Sequence, residues 1–229
     1  MIIGGFQRSS LIDYPDRISA VVFTQGCNFR CPYCFNPELV DPDRYRPVIP
    51  EVDILDFLDK RRGKLDAVVI TGGEPTIQSD LLEFAKKIKA KSFLVKLDTN
   101  GSRPEIIIAG IDRHLFDFVA LDIKAPPGKY QDVTASQTDI QRIEESIKIV
   151  IDSGIDHEFR TTVVKELLTL DDLFEIAQLI KGGKSWALQR FESNKVLDPR
   201  ILKKSPYSET ELNELREELS RVISNCVVR

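Results

Sequence analysis

The chain has 229 residues, 42% of them hydrophobic and 30% charged, with a formal net charge of −4. That balance is ample for a globular core, gives no basic footprint for nucleic acid, and contains no run of eighteen apolar residues to span a membrane. The N-terminus lacks the basic-then-apolar order of a signal peptide, and four cysteines, three of them in one loop, make no secreted disulfide framework; a reducing cytoplasm is the expected compartment.

Residues 1–18 carry Gly4-Gly5 and Tyr14-Pro15-Asp16 around a short apolar piece and read as a hairpin-like lead-in. Ser19 to Thr24 is the first core strand, apolar as a parallel strand covered on both faces should be. The cysteine-bearing stretch 27–34 follows, then proline-spaced coil (Pro37, Pro42, Pro47, Pro50) and a helix over about 51–62 closed by Gly63. A second strand, Ala67 to Ile70, runs into Thr71-Gly72-Gly73-Glu74-Pro75. The helix after it carries Leu81, Phe84, Ala85 and Ile88 on one face, with Asp80 and Glu83 spaced as a capping box.

The third strand, 93–97, ends in Asp98-Thr99-Asn100-Gly101 and leads to a short helical piece over 104–110. The fourth, 118–123, contains Leu121-Asp122-Ile123 and is followed by Lys124. A polar loop, 125–138, precedes a helix starting at Thr138, with Gln141 in capping position, and stopping at Gly154. Strands over 158–164 and 185–191 flank a helix over 170–180. A Pro-rich connector then leads to a last helix, about 208–222, capped by Ser208 with Glu211.

Strand and helix thus alternate about six times with short connections, which means βα units and a parallel sheet. Right-handed crossovers allow an open doubly wound sheet or a partial barrel. The unusual residues all fall at the C-terminal ends of successive strands, where barrels build their sites, so a partial (β/α)6 barrel is expected. No repeat, low-complexity segment or linker divides residues 1–229, so one domain is expected.

Cys27, Cys31 and Cys34 stand at C-x₃-C-x₂-C, stiffened by Pro32. Three thiolates can hold three corners of an iron–sulfur cube that normally takes four, leaving one iron open. Buried apolar cysteines or a zinc site are the alternatives, although zinc usually takes four ligands from paired clusters and no second cluster exists here. The spacing, with Tyr33 just before the last cysteine, resembles the radical S-adenosylmethionine (SAM) superfamily, in which the open iron binds SAM.

Gly72-Gly73-Glu74 alone could be an ordinary strand-to-helix turn. One βα unit after the cysteines, it resembles the superfamily's Gly-Gly-Glu motif, which binds the SAM amino group, its glycines letting backbone approach a ligand. The resemblance also implies that Tyr33 lies beside the adenine. Asn100-Gly101 could signal a hairpin, and Asp122 with Lys124 a charged strand end. Acidic residues at neighbouring strand ends also make an oxygen-rich cation site. The sequences 97–101 and 121–124 resemble the activating enzymes of glycyl radical enzymes. There the matching Asp98, Thr99 and Asp122 hold a monovalent cation beside the SAM carboxylate; Lys124, and more loosely Arg160, face SAM, and Asn100 belongs to the same motif.

The stretches 5–15 and 36–40 resemble activating proteins of the anaerobic ribonucleoside-triphosphate reductase, with one departure: Phe35 stands where those carry His. The resemblance implies a [4Fe–4S] cluster and SAM as cofactors, a flavodoxin- or ferredoxin-type electron donor, and a glycyl radical enzyme as protein substrate. A small-molecule enzyme such as 7-carboxy-7-deazaguanine synthase is the runner-up, although those usually carry Ser-Pro-Lys where this chain has Asp122-Ile123-Lys124. A non-catalytic iron–sulfur protein is the third class. Cys226, His114 and His157 read as bystanders in packing or at the surface.

Overall fold

The computed structural model describes residues 1–192, 195–203 and 206–229. Eight strands form one sheet in sequence order: β1 Ile3–Ser10, β2 Ser19–Thr24, β3 Ala67–Gly72, β4 Leu94–Thr99, β5 Phe118–Asp122, β6 Asp156–Val163, β7 Trp186–Arg190 and β8 Cys226–Val228. β1 runs antiparallel to β2, and every later pairing is parallel. Among the described residues β1 does not pair with β8, so the sheet stays open and the six βα units from β2 to β7 make the expected partial barrel.

Among the described residues eight α-helices surround the sheet, α1 and α5 of them beside the cysteine loop: α1 Pro37–Val40, α2 Glu51–Lys60, α3 Leu81–Lys89, α4 Pro104–Asp112, α5 Tyr130–Thr134, α6 Ile140–Asp152, α7 Leu170–Leu179 and α8 Glu209–Leu219. Their apolar faces meet one side of the sheet, where Val22, Ile70, Leu97, Leu121 and Phe159 alternate into the main core. The sheet's period of two sends the intervening residues to the concave side. There only a small apolar group, Tyr14, Val21, Ala67 and Val69, packs with Phe23, Leu94 and Phe118. Above it the concave face turns charged.

Several local readings are corrected. The hairpin-like lead-in is present as β1 antiparallel to β2, while the sheet gains β8, too short to show a period. Asp80 does not cap α3 with its side chain, because the N-terminal ammonium takes that carboxylate. The cap of α6 is Asp139, which accepts from Gln141 N, rather than Thr138. The last helix stops at Leu219, while its capping box of Ser208 and Glu211 is present. The loop 125–138 contains α5.

Candidate active site at the barrel mouth

The cysteine loop is positioned by its neighbours on every side. Gly26, just before it, accepts from Glu74 N at 2.8 Å and donates to Leu39 O at 2.8 Å. Asn28 donates to Ser102 Oγ and accepts from Asn100 Nδ2, both at 2.9 Å, tying the loop to the end of β4. Arg30 donates its backbone N–H to Thr134 O at 3.0 Å, and its guanidinium donates to Cys27 O at 2.6 Å and Phe29 O at 2.9 Å. Phe29 meets Tyr130 edge-on at 6.3 Å, and Phe35 stacks on Phe191 at 6.1 Å. The aromatic that replaces the histidine of the related proteins is therefore a packing strut between this loop and the end of β7.

The two glycines of the Gly-Gly-Glu stretch have a steric cause within the chain itself. A Cβ on Gly73 would stand 2.0 Å from Gly26 O, and one on Gly72, whose φ is +118°, would stand 2.4 Å from Thr24 N. They are glycine because the end of β2 and the start of the cysteine loop pass over them, leaving no room for any side chain. Glu74 is buried, and its carboxylate accepts from Thr76 N (3.0 Å), Thr76 Oγ1 (2.5 Å), Thr99 Oγ1 (2.6 Å) and Asn100 N (2.7 Å). The side chain is a clamp between the ends of β3 and β4.

Cys27, Cys31, Tyr33, Cys34, Gly72, Gly73, Glu74, Asp98, Thr99, Asn100, Asp122, Lys124 and Arg160 all line one cavity of about 910 Å³ at the C-terminal ends of the strands. The structure thus brings together every candidate site residue read from the sequence. His114 and His157 lie outside it; the buried His157 ring meets Ile155 O at 2.8 Å and accepts from Lys184 N at 3.1 Å. Cys226 is buried in β8, away from the cavity lining.

Burial pushes the Cys27 thiol up to about 12 and Cys31 up to about 11, and it raises Cys34 as well. Burial favours the neutral thiols, and a bound metal's positive charge would favour the thiolates. Among the described residues no three His, Cys, Asp or Glu side chains gather as a single-ion site. A cube instead takes one thiolate at each of three irons. The Tyr33 hydroxyl, buried beside the Cys31 thiol, has no well-formed hydrogen bond, an orphaned polar atom facing this site. Three thiols on one wall, that hydroxyl and the size of the cavity fit a cluster with SAM.

The opposite wall carries a chain of alternating charges. Lys96 Nζ lies 2.8 Å from Asp98 Oδ1; Arg160 reaches Asp98 Oδ2 at 3.0 Å and Asp122 Oδ1 at 2.7 Å; Lys124 Nζ meets Asp122 Oδ2 at 3.0 Å. The Lys96 contact is an ion pair without hydrogen-bonding direction, although Lys96 does donate to Asp13 O at 2.8 Å. Burial alone would raise the Asp122 carboxyl, but Arg160 and Lys124 outweigh it and hold it at about 2; the same balance, with Arg160 and Lys96, keeps Asp98 low. Lys124 and Arg160 are correspondingly raised despite burial.

Sequence reasoning did not find Lys96, Asn28 or Arg30. Lys96 had a signal: two residues before Asp98 in an otherwise apolar strand, it had to share the concave face. Each oxygen of Asp98 and Asp122, two of the expected ligands of a monovalent cation, faces a cationic nitrogen. Thr99, the third expected ligand, donates to Glu74 and accepts from Gly101 N at 3.2 Å.

A partial barrel whose mouth is lined by three cysteines on one wall and a charged ladder on the other defines a cofactor-dependent enzyme class. The family model of the radical SAM superfamily matches residues 21–180, and the chain belongs to that superfamily. Membership makes it an enzyme and implies a [4Fe–4S] cluster and SAM. A Methanocaldococcus jannaschii protein provisionally named a glycyl-radical enzyme activating enzyme is 36% identical over 100% of this chain and 95% of its own length. A 7-carboxy-7-deazaguanine synthase of Rhodospirillum rubrum is 34% identical over only 37% of this chain and 34% of its own. The crystal structure of Streptococcus suis SuiB bound to S-adenosylmethionine superposes with a TM-score of 0.71 at 17% identity, covering 91% of this chain and 49% of that one. Among the described residues no helix is long and apolar enough to cross a membrane.

Proposed function

We propose that this enzyme generates a glycyl radical on a partner protein, the anaerobic ribonucleoside-triphosphate reductase being the partner favoured by the motifs. The cluster and SAM, when bound, supply one-electron cleavage to methionine and a 5′-deoxyadenosyl radical, which takes a hydrogen atom from glycine and leaves as 5′-deoxyadenosine. In this reading Cys27, Cys31 and Cys34 hold the cluster. The backbone at Gly72 and Gly73 receives the SAM amino group, Lys124 and Arg160 meet its carboxylate, and Tyr33 flanks its adenine. Thr99 and Asn100 act through Glu74, fixing the rim on which SAM rests. The electron comes from a flavodoxin- or ferredoxin-type donor. A monovalent cation is left out of the reading, since the oxygens that would bind it are paired.

One observation carries the choice of a polypeptide substrate. The stretches 37–50 and 125–138 are spent bracing the cysteine loop, while the connector after β7 brings Glu192 and Lys195 to the cavity lining. In the stretch 37–50, Leu39 O holds Gly26 and Arg46 O accepts from Gln25 Nε2 at 2.7 Å. In the stretch 125–138, Thr134 and Ser136 hold Arg30, and Tyr130 backs Phe29. A small-molecule enzyme needs a closed pocket with several polar groups fixing its substrate, whereas a glycine loop needs an entrance. Electron paramagnetic resonance on anaerobic mixtures with candidate glycyl radical enzymes of the same cell tests this. A glycine-centred doublet that requires SAM, reductant and intact Cys27 is expected. Turnover of a carboxylated pterin to a deazaguanine, with no protein radical from any candidate, overturns it.

A further inference from the structure

We infer that Arg160 occupies the place of the monovalent cation, so that the fixed guanidinium supplies the positive charge between Asp98 and Asp122 and SAM binding needs no alkali ion. This rests on the SAM site proposed above. The sheet register makes the substitution possible. Asp122 pairs directly with Arg160 between β5 and β6, while Asp98 on β4 lies opposite Ala120, a residue with no bulk to block the way. Arg160 can therefore cross β5 in one span, with Nε on Asp122 and NH1 on Asp98. A planar guanidinium with donors in a fixed fork suits two carboxylates held apart at set positions.

The remaining charges leave no vacancy for an ion. Lys96 closes the second oxygen of Asp98 and Lys124 the second oxygen of Asp122. Asp156 and Glu158, the acids on the same face of β6 as Arg160, are paired with Lys184 and Arg229, each at 2.8 Å. Potassium and sodium bind through oxygen ligands, and here an ion would sit among three cationic nitrogens; Asp98 Oδ1, which accepts no hydrogen bond, lies 2.8 Å from Lys96 Nζ. Along the ladder three positive groups face two negative ones, so the unmatched charge is already that of a counter-ion for one incoming carboxylate.

The test is made on the reconstituted protein under anaerobic conditions. SAM affinity is measured by equilibrium dialysis in choline chloride and in KCl at equal ionic strength. The two dissociation constants are expected to agree within about twofold, well under the tenfold that 1.4 kcal/mol would give. Arg160→Ala is expected to weaken SAM by about thirtyfold or more in choline chloride, as for loss of one member of a buried charge pair. K⁺ or guanidinium should restore part of the loss by filling the vacated place. Arg160→Lys, which keeps the charge, guards against a variant that fails to fold. Crystals of the parent protein soaked in thallium(I) acetate give a readout independent of SAM: anomalous density between Asp98 and Asp122 overturns the inference, as does K⁺-dependent SAM affinity in the parent. Failure of SAM to bind in either salt, with the cluster intact, would remove the SAM-site reading, while the thallium result still decides the role of Arg160.

Discussion

The two walls of the cavity solve opposite problems. The cysteine loop is braced through backbone and aromatic contacts, yet its functional atoms are uncompensated: burial favours neutral thiols, and the positive charge that would make them ligands must come from outside. The ladder of Lys96, Asp98, Arg160, Asp122 and Lys124 is the reverse, since its charges are matched by one another along adjacent strands. One wall is built to wait for a cofactor; the other is complete before anything binds.

The comparison breaks most visibly at the cysteines. Cys27→Ala, Cys31→Ala or Cys34→Ala is expected to lower iron from about four per chain to near none with loss of visible absorbance, measured by iron assay after anaerobic reconstitution. Cys226→Ala is expected to leave the content unchanged. Equal dependence on Cys226 would remove the open iron.

The ladder fails differently, in stability rather than in metal. Arg160→Met removes the partner shared by two carboxylates, leaving Asp98 with Lys96 alone and Asp122 with Lys124 alone, and should destabilise the cluster-free protein by about 3 kcal/mol, the low end for breaking a buried pair. Its iron content should stay that of the parent. Urea unfolding checks the first and iron assay the second.

The walls should also govern opposite ends of the pH range. The folded Asp122 carboxyl sits at about 2 against an ordinary 3.8, so its contribution is present above about pH 4 and is lost as pH falls through 2. The Cys27 and Cys31 thiols sit at about 12 and about 11 against 9.0, so theirs is present below pH 9 and is lost as pH rises through 11 and 12. In the cluster-free protein, Asp122→Asn should flatten the acid limb of stability and Cys27→Ala the alkaline limb. Interchanged effects would contradict the assignment. The smallest expected change is Phe35→His, costing about 1 kcal/mol for the stack on Phe191 with full iron retained.

The two walls were not equally legible in the sequence. The cysteine loop is contiguous, so its spacing put the three candidate ligands side by side, and strand–helix alternation gave the six βα units around it. The ladder is made of residues up to 64 positions apart, from Lys96 to Arg160. Period two could place them on one face, but not pair them, because pairing depends on register between strands. The same limit hid why Gly73 is glycine: the backbone that excludes its side chain comes from Gly26, in another βα unit. β8, at three residues, was below any periodicity.

Mössbauer spectroscopy of iron-57-loaded protein, with and without SAM, tests the division between the two walls most directly. With three thiol-bound irons and one left open, SAM should shift the signal of one iron of the cube and leave the others in place. Arg160→Ala should keep the cube and lose that shift at the same SAM concentration. A spectrum in which SAM moves no iron, or moves all of them alike, would contradict the account.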